Sequence, residues 1–285
     1  MSNQQHAMIR TILLALEQFR SAEADWRHAV LLAHRLSAEL HVAYVIGYSE
    51  VVTMVPGPPV ASMPMSFVHS PNDEQRLAAE GERTLQAIAH LAATHNVACE
   101  GRVLVGRSAI SWGELGRSCD LLVIPQHMVD FRGLGRLRRA IYWQIVRRSQ
   151  RPVLVLSPQS LPADELLLFY ANDVGSSSSL PWVARLSEAL GLSVTVFRGH
   201  GHYRDHASSN ECCEYLANHG ITAHQGGLSA RQALQREASK PDSRWGESAV
   251  LAFDRGFGRG FCLGRRRRLV MDTLMSQRRH VLLCP

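Results

Sequence analysis

Short apolar runs alternate with amphipathic stretches along this chain, and the alternation predicts its elements. Residues 12–16 (ILLAL) are continuously apolar and read as a buried strand. In residues 23–36, Trp26, Ala29, Val30, Ala33 and Leu36 recur at helical spacing, which predicts a helix with one apolar face. Residues 40–46 read as a second strand. Residues 51–71 contain Pro56-Gly57-Pro58-Pro59 and predict a long irregular loop. Asn72 or Asp73 then caps a helix reaching about His95. Strands follow at 98–105, 121–124 and 152–156, with helices at 108–117 and 137–148. Strands alternating with helices predict a parallel sheet with helices on both faces.

Residues 157–164 (SPQSLPAD) are polar and proline-containing, as a linker is. The order then repeats. Strands are expected at 166–170, 193–198, 249–253 and 281–284, and helices at 180–190, 210–219, 229–238 and 269–277. The serine run before residue 180 offers a cap for its helix. A period of about half the chain is a duplication, not a solenoid. The expected units are 1–157 and 165–285, and 285 residues suit two domains of roughly 100–200 residues.

Composition narrows the classes of function. Hydrophobic residues make up 46% and charged residues 20%, enough apolar material for two cores. The net charge of +6, with a sequence pI of about 9.3, favours anionic partners. The arginines are spread through predicted folded elements, unlike a nucleic-acid tail. No run approaches the ~20 apolar residues of a membrane span, and the N-terminus lacks the form of a signal peptide. Six cysteines without a CxxC pair point to a reducing cytoplasm rather than a disulfide framework.

Several segments, in this order and spacing, resemble the universal stress protein superfamily over essentially the whole chain. The run 12–17 resembles that family's first strand, which normally ends in an adenine-contacting aspartate; here the residue is Glu17. The stretch 29–42 (AVLLAHRLSAELHV) is similar to its first helix and second strand. Residues 105–110 (VGRSAI), 119–124 (CDLLVI) and 151–156 (RPVLVL) resemble its third-strand turn, fourth strand and fifth strand. The second half is more divergent but keeps corresponding pieces at 166–170, 191–194, 249–253 and 280–284. The resemblance implies an α/β fold of two tandem domains, each a five-stranded, mostly parallel sheet of adenine nucleotide α-hydrolase-like type. It also implies that the fifth strands, 153–156 and 281–284, meet in an intrachain pseudo-dimer, with a homodimer as a further state. A sheet edge is itself a physical reason to pair.

ATP-binding members of that family carry a glycine-rich loop after the fourth strand. Its glycines let the backbone approach phosphate, and amides at a helix start face the negative charge. Here Pro125-Gln126-His127-Met128 stand where the first glycines belong, and the final glycine-serine pair falls on Arg138-Arg139 or Arg139-Ala140. Proline also removes a donor amide. The second half is richer: Gly256, Gly258 and Gly260 follow a strand directly, and the final pair maps to Arg267 and Arg268. The first-strand aspartate position falls near Ala171, just before Asn172 and Asp173. Gly256–Gly260 reads either as a flexible turn or as a remodelled anion site. In the second case Arg255, Arg259 and 265–268 supply side-chain charge in place of loop amides.

Other constellations have plainer readings. Arginines 132, 136, 138, 139, 147, 148 and 151, and in the second half 265–268, 278 and 279, read as solvated helix faces or as a phosphate or nucleic-acid surface. No aromatic stacking pattern accompanies them, which disfavours nucleic acid. His200, His202, His206, Cys212 and Cys213 have metal-ligand chemistry but not the usual spacing. The cysteines are expected to pack on a helix as small apolar groups, so no metal is expected. Met54, Met63 and Met65 sit in the long loop and suit an ordinary loop or a lid or partner surface. Ser176–Ser179 lacks the GxSxG elbow, and neither HExxH nor a complete phosphate loop occurs, so no catalytic residue is identified. The expectation is a cytoplasmic, non-enzymatic stress-response protein that binds a protein partner or a small anion, with no cofactor. The alternative is an ATP or ADP switch, or a weak ATPase, using the second half.

Overall fold

A computed structural model of the chain describes residues 9–17, 23–47, 71–106, 114–126, 149–157, 163–170, 179–198, 206–229, 232–234, 249–253 and 280–284. The strands are β1 (Thr11–Glu17), β2 (Glu39–Gly47), β3 (Cys99–Gly106), β4 (Leu121–Pro125), β5 (Val153–Leu156), β6 (Glu165–Tyr170), β7 (Ser193–Arg198), β8 (Ala223–Gln225), β9 (Ala249–Phe253) and β10 (Val281–Leu283). The helices are α1 (Glu23–Leu36), α2 (Pro71–Thr94), α3 (Leu180–Leu190) and α4 (His206–Asn218).

All ten strands join one sheet in the order β3-β2-β1-β4-β5-β10-β9-β6-β7-β8. Each half therefore builds a five-stranded parallel array, and the second array runs as the mirror order of the first. Among the described strands the one antiparallel pairing is between β5 and β10, where Val281 faces Val155, Leu282 faces Leu154 and Leu283 faces Val153. The halves also share their internal register. Ala15 lies opposite Ala43 in β1–β2, and Phe169 opposite Phe197 in the matching steps of β6–β7.

Over the inner strands β1, β4, β5, β6, β9 and β10 both faces of the sheet are buried, which is why these strands read as unbroken apolar runs. Ile12, Leu14 and Leu16 point into a core shared with α1, α2, α3 and α4. Leu13 and Ala15 point to the opposite face, into a second core that also holds Leu122, Ile124, Leu251, Ala233 and Leu234. In α1 the predicted apolar face is the one that packs, with Ala29, Val30, Ala33 and Leu36 buried and Trp26 against them.

The four α-helices end in the same way. A residue one or two positions past the helix takes a left-handed conformation, and the next amide bonds back to the last turn. Ser37 (φ 51°) precedes the Ala38 N–H to Ala33 O bond of 2.9 Å. Asn96 (φ 55°) precedes Val97 N–H to Ala92 O at 2.9 Å. Gly191 (φ 68°) precedes Leu192 N–H to Ser187 O at 2.8 Å, and Gly220 (φ 75°) precedes Ile221 N–H to Leu216 O at 3.0 Å. The repeated stop fixes the entry of each following segment into its strand.

Some expectations differ from the structure. The helix expected to start from a cap at Asn72 or Asp73 begins at Pro71, so both residues lie inside its first turn. The helix expected at 210–219 begins at His206. Ser179 does not cap α3 through its side chain; its backbone is already helical, and proline in the first turn removes one of the amides a cap would serve. The short strand β8 (AHQ) was not expected, because its three residues carry no apolar run. The loop expected at 51–71, apart from Pro71, which opens α2, lies outside the described residues, as do the helices at 137–148 and 269–277 and most of those at 108–117 and 229–238.

Candidate functional site

In open parallel sheets, ligands bind outside the carboxyl ends of the strands, where successive connections leave in opposite directions. Here that switch point lies between β1 and β4 in the first half and between β6 and β9 in the second. The two ends differ in chemistry.

In the first half, β1 ends on half-buried Glu17 and β4 on Pro125, which lies opposite Leu156 of β5. Gln126 follows and is 1% exposed. The edge thus offers a carboxylate and a buried carboxamide, with the proline that ends the strand directly before that carboxamide. Pro125 has no amide hydrogen to donate to an anion. The opposite, amino-terminal edge is closed by a side-chain clamp. The Asp120 carboxylate accepts from the amides of Arg10 (2.9 Å) and Thr11 (3.0 Å) and from the Thr11 hydroxyl (3.1 Å). This ties the start of β4 to the start of β1 and fixes the height at which Pro125 and Glu17 emerge.

In the second half, β6 ends on Tyr170, β9 on Phe253 and β7 on half-buried Arg198. Behind this edge three aromatic rings stack. Phe169 lies 4.9 Å from Phe253 and 5.4 Å from Phe197 between ring centroids, nearly parallel to both. All three are buried in the second-face core. The amino-terminal edge is again tied by a carboxylate, as the Thr195 hydroxyl donates to Glu165 across β6 and β7.

Of the residues singled out in the sequence, Glu17 and Pro125 end the adjacent strands β1 and β4 at the first-half edge, and Gln126 follows Pro125. Gly256, Gly258, Gly260, Arg267 and Arg268 lie outside the described residues, as do His127, Met128, Asn172, Asp173 and the arginines from 132 to 148. Cys212 is buried in the core and Cys213 half-buried against it, so this pair packs as small apolar groups. Among the described residues five cysteines stand outside any disulfide, and no cluster of three or more His, Cys, Asp or Glu could hold a metal ion. Among them, too, no helix is long and apolar enough to cross a membrane.

Sequence reasoning missed the aromatic stack and a buried histidine pair. His280, just before β10, accepts a hydrogen bond at Nδ1 from the Ser157 amide just after β5, at 3.1 Å. Its ring meets that of His28 on α1 edge to face, with centroids 6.3 Å apart. Burial, and then the neighbouring His28, push its pKa down from 6.5 to about 4. A lone histidine in an apolar segment gives no signal of a partner this distant in sequence.

No protein-family profile matches the sequence, and no curated protein does. Solved structures do match along its full length. A universal stress protein from Archaeoglobus fulgidus superposes with a TM-score of 0.63 at 12% identity, covering 98% of this chain and 97% of that one. A functionally unknown protein from Pseudomonas aeruginosa gives 0.59 at 17% identity, covering 98% and 93%. A putative universal stress protein from the same species gives 0.57 at 17%, covering 98% and 94%. The class is therefore defined by fold: an α/β chain with the adenine nucleotide α-hydrolase-like architecture of the universal stress proteins. The likeness extends over both halves of the chain.

Proposed function

We propose that this chain is a tandem universal stress protein, with units at 1–157 and 165–285, that works in the cytoplasm by binding a protein partner or a small anion rather than by catalysis. The observation that carries the reading is the first-half edge. A phosphate loop needs free amides and close backbone approach immediately after β4. Pro125 supplies no amide there, and the buried Gln126 fills the position where a glycine would leave room. The resemblance and the full-length fold match support the family, and the degenerate motif supports binding without turnover.

A second reading is a nucleotide switch or weak ATPase in the second half. It is favoured by Gly256, Gly258 and Gly260 directly after β9, with Arg267 and Arg268 beyond them. An azido-ATP photolabel separates the two. Labelled peptides spanning 125–128, or phosphate release by the purified protein, would overturn the proposal. Labels confined to 254–268 without phosphate release would keep the protein non-enzymatic and assign a nucleotide to the second half. No label in either half leaves the protein-partner reading standing.

A further inference from the structure

Within the sheet the two halves meet at three facing residue pairs of β5 and β10, all aliphatic, and beside this seam α1 of the first half packs on α3 of the second. The polar groups at this seam come from three distant parts of the chain. His280 leads into β10, its carbonyl accepts from the Leu251 amide of β9 at 2.9 Å, and its Nδ1 accepts from Ser157 beyond β5. An Nδ1 that accepts carries no proton, so in the closed seam the ring is neutral, with its hydrogen on Nε2. His28 of α1, which belongs to the first half, lies against that ring. Both histidines are buried, at 7% and 6% exposure.

We infer that this seam is an acid-sensitive latch: protonation of the His28–His280 pair releases β10 from β5 and lets the two halves separate. The proton that His280 takes up lands on Nδ1, the atom that accepts from Ser157. The bond then becomes a clash of two donors, and a second positive ring beside His28 adds repulsion.

Among the described residues no carboxylate is placed against His280. His28 faces His280 from α1. The strands bring Leu154, Leu156, Val250, Ala252 and Leu282 to the same side of the sheet. Arg27 on α1 is paired with Glu23 at 3.4 Å on the exposed side. Arg185 of α3, the helix packed on α1, is held by Glu188 at 2.8 Å. The sign follows from a base whose folded pKa is depressed. The latch is fully stable above the ordinary histidine value of 6.5 and is lost progressively as pH falls towards about 4.

The test is hydrogen exchange on the full chain between pH 7 and 4.5, corrected for intrinsic rates. Amides of 153–157 and 280–284 should lose roughly fifty- to hundred-fold in protection, as expected for a histidine shifted from 6.5 to about 4. Amides of β1 and β2 should keep theirs. His280→Asn retains an oxygen to accept from Ser157 and cannot take up the proton, so its seam should hold through the same range. A seam whose protection is flat with pH in the wild type, a loss spread equally over β1 and β2, or a His280→Asn seam that opens like the wild type would each overturn the latch. Should His280→Asn fail to fold, the His280 ring resonance of the wild type decides. It should stay in the neutral form until the seam amides exchange; ordinary titration near 6.5 with the seam closed would reject the latch.

Discussion

The two halves share a strand ladder and differ in what they place behind its carboxyl edge. On the second face the first half has Ala15 opposite Ala43, with Ile124 next to them on β4. At the matching steps the second half has Phe169, Phe197 and Phe253, stacked and buried. The outer strand follows suit. Arg102 stands opposite Ala43 on β3, whereas glycine stands beside Phe197 at residue 226. A Cβ on Gly226 would lie 2.3 Å from the Phe197 ring, so the large aromatic requires the missing side chain. The amino-terminal clamps differ as well: Asp120 binds the start of β1, while its counterpart facing Glu165 is Ala249, and Glu165 takes Thr195 instead. A duplicated topology constrains register and layer, but leaves volume free to move between neighbouring positions as long as the total fills the space.

The largest expected effect breaks the aromatic half. Phe169→Ala removes the central ring of the stack and should cost about 3–5 kcal/mol in denaturant unfolding. A loss below about 1 kcal/mol would mean that the stack is not packed as described. An intermediate effect sharpens the glycine–phenylalanine pairing. Gly226→Ala should cost about 1–3 kcal/mol by overpacking. Most of that cost should vanish in a Phe197→Leu background, a coupling that a double-mutant cycle reads directly. Additive effects would show that Gly226 is not there to admit the ring. The smallest effect concerns the first-half clamp. Asp120→Ala should cost about 1–2 kcal/mol, because it leaves the amides of Arg10 and Thr11 without their acceptor at a partly exposed edge. An unchanged unfolding midpoint would remove the clamp from the list of elements that set the height of β4.

Much of the fold was legible because burial on both faces writes itself as continuous apolar runs. The runs at 12–16, 166–170 and 249–253 each lie inside a strand, and α1 and α3 begin and end at the expected residues. Gly191 ends α3 in the left-handed conformation that glycine favours, and Ser37 and Asn96 do the same work without glycine's signature. What escaped was set by tertiary contact. β8 is held by pairing to β7 rather than by its own composition. The phenylalanine stack needs three strands to be aligned before Phe169, Phe197 and Phe253 become neighbours. His28 and His280 meet only because the two halves share one sheet. At the candidate site, Pro125 and Gln126 were readable because an amide-free, side-chain-bearing strand end contradicts a phosphate loop on chemical grounds alone. Arg267 and Arg268 were singled out by charge and spacing, which carry no geometry.

The contrast between the halves is tested most directly by calorimetric titration of the full chain with ATP and with inorganic triphosphate, at low and moderate salt, beside an Arg267→Ala, Arg268→Ala variant. An arginine-built site in the second half, and none in the first, gives weak binding of similar strength for both ligands. That binding falls with salt and disappears in the variant, because exposed charge pairs contribute only ~0–1 kcal/mol each and are screened. Tight binding that prefers ATP over triphosphate and survives both substitutions would contradict it.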